Sequence, residues 1–217
     1  MTNQADPLAD RLLAAQLAID AVLADSSLQT VLTNYGYGAA AMTAARALYE
    51  QAEALTALQQ KEYGEQHAAT EAVEKAWETA NAIYIRSLGL ARIAFKKDPL
   101  AQTTLALGGS RKQSLTGWLK QAEQFYRNLL TTPALLAEMT KFGYDAAAVQ
   151  AEYDVILALR EANMNQEREK GQAQKATQTR DEVLDELDEW MSDFRAVSRI
   201  AFADDAQKLE GMGFGPV

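Results

Sequence analysis

The chain of 217 residues contains no cysteine, which excludes disulfides, thiolate metal sites and thiol nucleophiles and suits a reducing, cytoplasmic setting. It has a single histidine, His67, and the residue three positions before it is Gly64. Ser-His catalysis, the common zinc ligand sets and a di-iron centre built from two Glu-x-x-His pairs all lose their parts. No cofactor and no metal are expected. No apolar run approaches the eighteen or so residues that a membrane span needs. The opening Met1-Thr-Asn-Gln-Ala-Asp-Pro7 lacks a basic stretch followed by an apolar one, so no signal peptide is expected either. With 30 acidic against 21 basic side chains, the net charge of −9 repels phosphate backbones and anionic lipid, and no Lys/Arg stripe offsets it. Nucleic acid and membranes are therefore not expected as partners.

Only four prolines and twelve glycines interrupt a chain rich in Ala, Leu, Glu, Gln and Lys. These residues lose little side-chain freedom in a helix, so the composition predicts an all-α protein. With 48% hydrophobic residues it can bury a sizeable core.

The strongest internal signal is a repeat. Thr33-Asn-Tyr-Gly-Tyr-Gly-Ala-Ala-Ala41 is echoed by Thr140-Lys-Phe-Gly-Tyr-Asp-Ala-Ala-Ala148, an offset of 143 − 36 = 107. At the same offset, without a gap, Gly64 meets Gly171 and Arg92-Ile-Ala-Phe95 meets Arg199-Ile-Ala-Phe202. Upstream, Leu8, Leu12, Ala15, Leu23 and Leu28 meet Leu115, Leu119, Ala122, Leu130 and Leu135. The sequence therefore predicts an all-α helical bundle of two tandem repeats, 1–108 and 109–217, joined at Gly108-Gly109-Ser110. The joint is short enough that the repeats are expected to pack as one globular unit about a pseudo-twofold axis.

Within each repeat the pattern reads as a first helix, a short connecting helix and a long antiparallel helical hairpin. Asp6-Pro7 is a helix start, and Leu8, Leu12, Ala15, Leu17, Ile19 and Leu23 form the expected core face of the first helix. Gly36 and Gly143 are expected to close the short helices in the left-handed conformation, with Asp145 as an N-cap. The hairpin is expected to run from about 39 to 63, reverse near Gly64 and return over about 67 to 97. In the second repeat its tip, between Arg160 and Asp181, has few apolar residues and is expected to project into solvent. The returning helix there carries Val183, Leu184, Leu187, Trp190, Met191, Phe194 and Val197 at three- and four-residue steps.

Several groups could carry function. Arg92 and Arg199 recur among apolar neighbours and could clamp an anion, or else satisfy the carbonyls of a helix end. Tyr37 and Tyr144 could join such a site or pack the corner that precedes the long helix. Leu55, Leu58 and Tyr63 make the first hairpin more apolar than the second and are candidates for an interaction surface. Among the remaining motifs, Asp181, Glu182, Asp185, Glu186, Asp188 and Glu189 read as the solvated side of a helix, and Gly108 to Ser114 as a linker ending in a serine N-cap. Trp77 and Trp190 read as core, and Trp118, opposite Arg11 in the other repeat, as a contact between repeats. The expected function is a non-enzymatic scaffold that binds another protein or itself. The alternative is a small-ligand binding or sensing protein, its site for an anionic or apolar molecule lying between the repeats. Carboxylate chemistry at Glu62 and Glu169 is a third class.

Overall fold

The computed structural model describes residues 7–215, so the expected cap Asp6 lies outside the described residues. All regular structure among them is helical: α1 (Pro7–Ala24), α2 (Ser26–Thr33), α3 (Ala39–Ala94), α4 (Pro99–Thr104), α5 (Leu115–Thr131), α6 (Pro133–Thr140), α7 (Ala146–Ala201) and α8 (Ala206–Gly211). The starts and stops follow local chemistry. Asp25, Asp98, Ser114 and Asp205 cap α2, α4, α5 and α8, each accepting a hydrogen bond from a first-turn amide. Asp145 does the same for α7, accepting from the Ala148 amide at 2.8 Å.

Four helix ends close in one way. At the end of α2 the Tyr37 amide donates to Leu32 O at 3.0 Å and the Gly36 amide to Thr33 O at 3.2 Å, with Gly36 at φ 89°. Gly143 repeats this after α6 and Gly213 after α8. The fourth closure, after α4, has the same pair of bonds but places Ala106 at φ 51°, where a Cβ crowds the backbone. Ala106→Gly should therefore raise stability by about 0.5–1 kcal/mol, read as an upward shift of the urea midpoint at unchanged slope. A fall in the midpoint would refute the strained cap.

The expected hairpins are absent. α3 and α7 are each one uninterrupted helix of 56 residues, and Gly64 and Gly171 sit inside them without positive φ. An isolated glycine in a helix interior costs only about 1 kcal/mol relative to alanine, whereas a reversal needs turn residues around it. Gly64 is flanked by Gln59, Gln60, Lys61, Glu62, Glu65 and Gln66, strong helix formers with no proline or asparagine among them. The stretch between Arg160 and Asp181 is accordingly no projecting tip, and Ala173 and Ala176 within it are buried. A Cβ at Gly64 or Gly171 would meet no atom within 4 Å. Gly64→Ala and Gly171→Ala should each stabilise the fold by about 0.5–1 kcal/mol in chemical denaturation. A turn at either glycine would give the opposite sign.

The described residues form two compact units that cut across the repeat boundary. The first comprises residues up to Tyr63 and from Gln172 onward; the second is Gly64–Gly171. The first core brings together Ala15, Ala18, Ile19 and Val22 of α1, Met42 and Tyr49 of α3, Leu184, Leu187, Met191 and Phe194 of α7, and Met212 and Phe214 beyond α8. In the second, Tyr84, Leu88 and Phe95 pack with Leu105, with Trp118, Phe125 and Tyr126 of α5, and with Val149, Ile156 and Leu159 of α7. Each core thus draws on both sides of residue 108. The core face of α1 differs from the expected one: Leu17 and Leu23 are exposed, while Ala18 and Val22 are buried.

Candidate functional site

A surface depression of about 710 Å³ in the first unit lies between α1 and the C-terminal part of α7. Ser192, Arg195 and Arg199 line it from α7 at steps of three and four residues, which place them on one helix face. Asp10, Arg11 and Ala14 line it from α1. Arg11 donates through Nε to Asp188 Oδ1 at 3.2 Å and through its Nη2 to Asp188 Oδ2, a forked pair that fixes both side chains. The Arg195 guanidinium lies over the Phe214 ring at 5.3 Å. Neither Arg195 nor Arg199 has a carboxylate partner among the described residues.

The corresponding stretch of the second unit carries different residues. At the positions 107 residues from Arg11, Met191 and Arg195 stand Trp118, Tyr84 and Leu88, all buried. Trp118 packs edge-on against Trp77 at 4.7 Å and Tyr84 at 5.3 Å. As the sequence suggests, it contacts residues from the other side of position 108.

The second unit instead holds a buried polar cluster that sequence reasoning missed. Glu152 of α7 accepts from Ser87 Oγ and from Tyr126 OH at 3.0 Å through Oε2, and from Arg86 Nη2 at 2.9 Å through Oε1. Arg86 Nε also donates to Tyr144 OH at 3.0 Å. Burial, the largest cause, pushes the Tyr126 phenol well above its ordinary value, and the neighbouring Glu152 charge adds to this. Glu152 sits three residues after buried Val149 and four before buried Ile156, so the helical period that places those two in the core is the signal that could have flagged it.

The expected site residues are scattered. Arg92, in the last turn of α3, donates through Nε to Leu107 O at 2.9 Å, which satisfies a carbonyl just beyond α4. It belongs to the second unit and Arg199 to the first, so no compact unit contains both. Tyr37 is half-buried on Trp190 and Phe194, with ring centroids 5.7 and 5.2 Å away, and its phenol is raised by burial and then by Asp193. Tyr144 is half-buried and held by Arg86. Tyr37 thus meets aromatic rings of the first unit, and Tyr144 an arginine of the second.

Leu55 packs against the first core, while Leu58 and Tyr63 are exposed. Leu55 and Leu58 line a shallow groove of about 320 Å³ with Glu62, Ala176 and Thr179. Glu62 and Glu169 fall in different units. His67 is exposed, as are the six acids between Asp181 and Glu189. Ser114 caps α5 as expected.

A second apolar surface was not foreseen. Leu13 and Leu17 on α1, one turn apart, are each 52% exposed, although α1 already buries Ala15, Ala18, Ile19 and Val22. On α5 the positions 107 residues later are Lys120 and Gln124, both exposed. No helix among the described residues is long and apolar enough to cross a membrane. No family model, curated protein or solved structure matches the chain.

Proposed function

We propose that this chain is a non-enzymatic helical scaffold that docks another protein, or a second copy of itself, through the outer face of α1. The observation that carries the reading is the Leu13–Leu17 stripe. A surface helix turns its apolar residues to the core, whereas α1 keeps these two leucines exposed beside its buried Ala15, Ala18, Ile19 and Val22. Each leucine is 52% exposed, so covering it supplies about half of the 1.5–3 kcal/mol of a full burial, and the two a turn apart form a small anchor for a helical partner. The groove at Leu55 and Leu58 is a secondary contact of the same kind.

A duplicated origin fits this reading. α3 and α7 start at 39 and 146 and end at 94 and 201, and α2 and α6 start at 26 and 133, each pair 107 apart. In a duplicated chain the two copies begin alike, and an apolar outer face on α1 where α5 has Lys120 and Gln124 marks the first unit as the one adapted to a partner.

Sedimentation velocity tests the proposal. Wild type at roughly 100 µM, where an association of about −5.5 kcal/mol is half-populated, should sediment above monomer mass or bind a helical partner in solution. Leu13→Glu with Leu17→Glu should return it to a monomer while leaving helicity and unfolding midpoint nearly unchanged, because both sites are surface positions. A wild-type chain that stays monomeric and partnerless, with the double variant indistinguishable from it in solubility and scattering, would remove the basis for the reading.

A further inference from the structure

We infer that the arginine-lined depression of the first unit is a binding site for a small phosphate monoester that also carries hydroxyl groups. Three guanidiniums and two carboxylates line it: Arg11, Arg195 and Arg199 with Asp10 and Asp188. Arg11 and Asp188 neutralise one another as a forked pair. That leaves Arg195 and Arg199 against Asp10 in the lining, a local excess of positive charge on a chain whose net charge is −9. Arg195 lies over the Phe214 ring at 5.3 Å and is exposed to solvent. Ser192, on the same helix face, adds a hydroxyl donor.

Space is provided by small side chains, Ala14 on one wall and Ala196 on the other, above buried Met191. The fold does not require this opening. The residues 107 positions from Arg11 and Arg195 are Trp118 and Leu88, which bury and fill the corresponding stretch. An open basic depression in one unit, where the other packs apolar core, is a departure that stability alone does not ask for.

The donor pattern selects the ligand. Two guanidinium edges and a hydroxyl on one helix face suit a tetrahedral dianion, whose several oxygens each accept a bond, better than a planar carboxylate with two. Asp10 on the facing helix repels a second anionic group but accepts from hydroxyls. A phosphate at α7 with hydroxyls toward α1 satisfies both walls. Because the site is open to solvent, affinity should be modest, with a Kd on the order of 0.1–1 mM that weakens as salt screens the arginines.

Isothermal calorimetry and amide chemical shifts of the full chain test this with three probes: glucose 6-phosphate, inorganic phosphate and glucose. Glucose 6-phosphate should bind saturably and shift amides around residues 10–14 and 192–199, with inorganic phosphate weaker and glucose silent. Arg199→Ala should weaken glucose 6-phosphate about tenfold, and Asp10→Asn should weaken it while leaving or improving inorganic phosphate. Arg92→Ala, at a residue already tied to Leu107 O, should leave binding unchanged. Both Arg199 and Asp10 are exposed, so neither change should unfold the chain, and the helical circular dichroism of each variant verifies that. Absence of saturable glucose 6-phosphate binding up to about 10 mM, or wild-type affinity in Arg199→Ala, would overturn the site. Equal affinity for inorganic phosphate would overturn the assignment to a hydroxylated ester.

Discussion

Trp118→Ala should destabilise the chain by about 3–5 kcal/mol, the range for removing a large aromatic from a core that cannot collapse around the loss. Trp118 is 1% exposed and contacts the rings of Trp77 and Tyr84, so two aromatic neighbours lose packing at once. Its Nε1 is buried without a hydrogen-bond partner, and so is Tyr84 OH. Part of the burial gain is thus already offset by desolvated donors. Trp118→Phe keeps much of the ring packing and removes the orphan N–H, so it should cost far less than the alanine change. Trp118→Arg should be the most damaging of the three. Arg11 can occupy the corresponding position in the first unit because Asp188 pairs with it, but the residue 107 positions before Asp188 is Asn81, which carries no charge to meet an arginine. Urea unfolding followed by tryptophan fluorescence and circular dichroism checks the order Phe, Ala, Arg. An alanine variant within about 1 kcal/mol of wild type would show that the site is not close-packed.

Glu152→Ala should cost about 3–4 kcal/mol, because one substitution strips the acceptor from Ser87, Tyr126 and Arg86 together. Arg86 is largely exposed and can turn to water. Ser87 and Tyr126 are fully buried and cannot, so their hydroxyls account for most of the penalty. The first unit shows how the same stretch packs without a charge: the positions 107 residues from Glu152, Ser87 and Tyr126 are Ala45, Phe194 and Ile19, all buried. Combining Glu152→Ala with Ser87→Phe and Tyr126→Ile should therefore recover most of the lost stability, because an apolar replacement of similar volume leaves no orphan. Thermal and urea melts of the single and triple variants provide the comparison. A triple variant worse than Glu152→Ala would mean that the two stretches are not packed alike.

Trp118 is legible in the sequence as a contact between repeats; the Glu152 cluster is not. The 107-residue offset was legible, but an offset does not say which residues face each other. Ser87 and Glu152 are 65 positions apart in the chain and meet only because the second unit takes its part of α3 from one side of residue 108 and its part of α7 from the other. Arg92 and Arg199 illustrate the converse. They match in sequence and in helix position, yet one is bonded to Leu107 O and the other lines an open depression.

The sequence by itself determined the helical class and the local punctuation. Gly36 and Gly143 close helices, Asp145 and Ser114 open them, and the acids from Asp181 to Glu189 face away from Val183, Leu184 and Leu187. Each of these outcomes depends on a few neighbouring residues, through left-handed backbone, a side-chain cap or a 3.6-residue period, so the chain states them locally. Only the tertiary structure decided that α3 and α7 run straight through Gly64 and Gly171, that Glu152 is buried, and that Leu13 and Leu17 face outward from an apolar helix. A lone glycine is compatible with either helix or turn, and a helix with leucines on more than one face, as with Leu12, Leu13 and Leu17 on α1, does not mark its inner face. In both cases the choice is made by what packs against the segment, and that partner is far away in the chain.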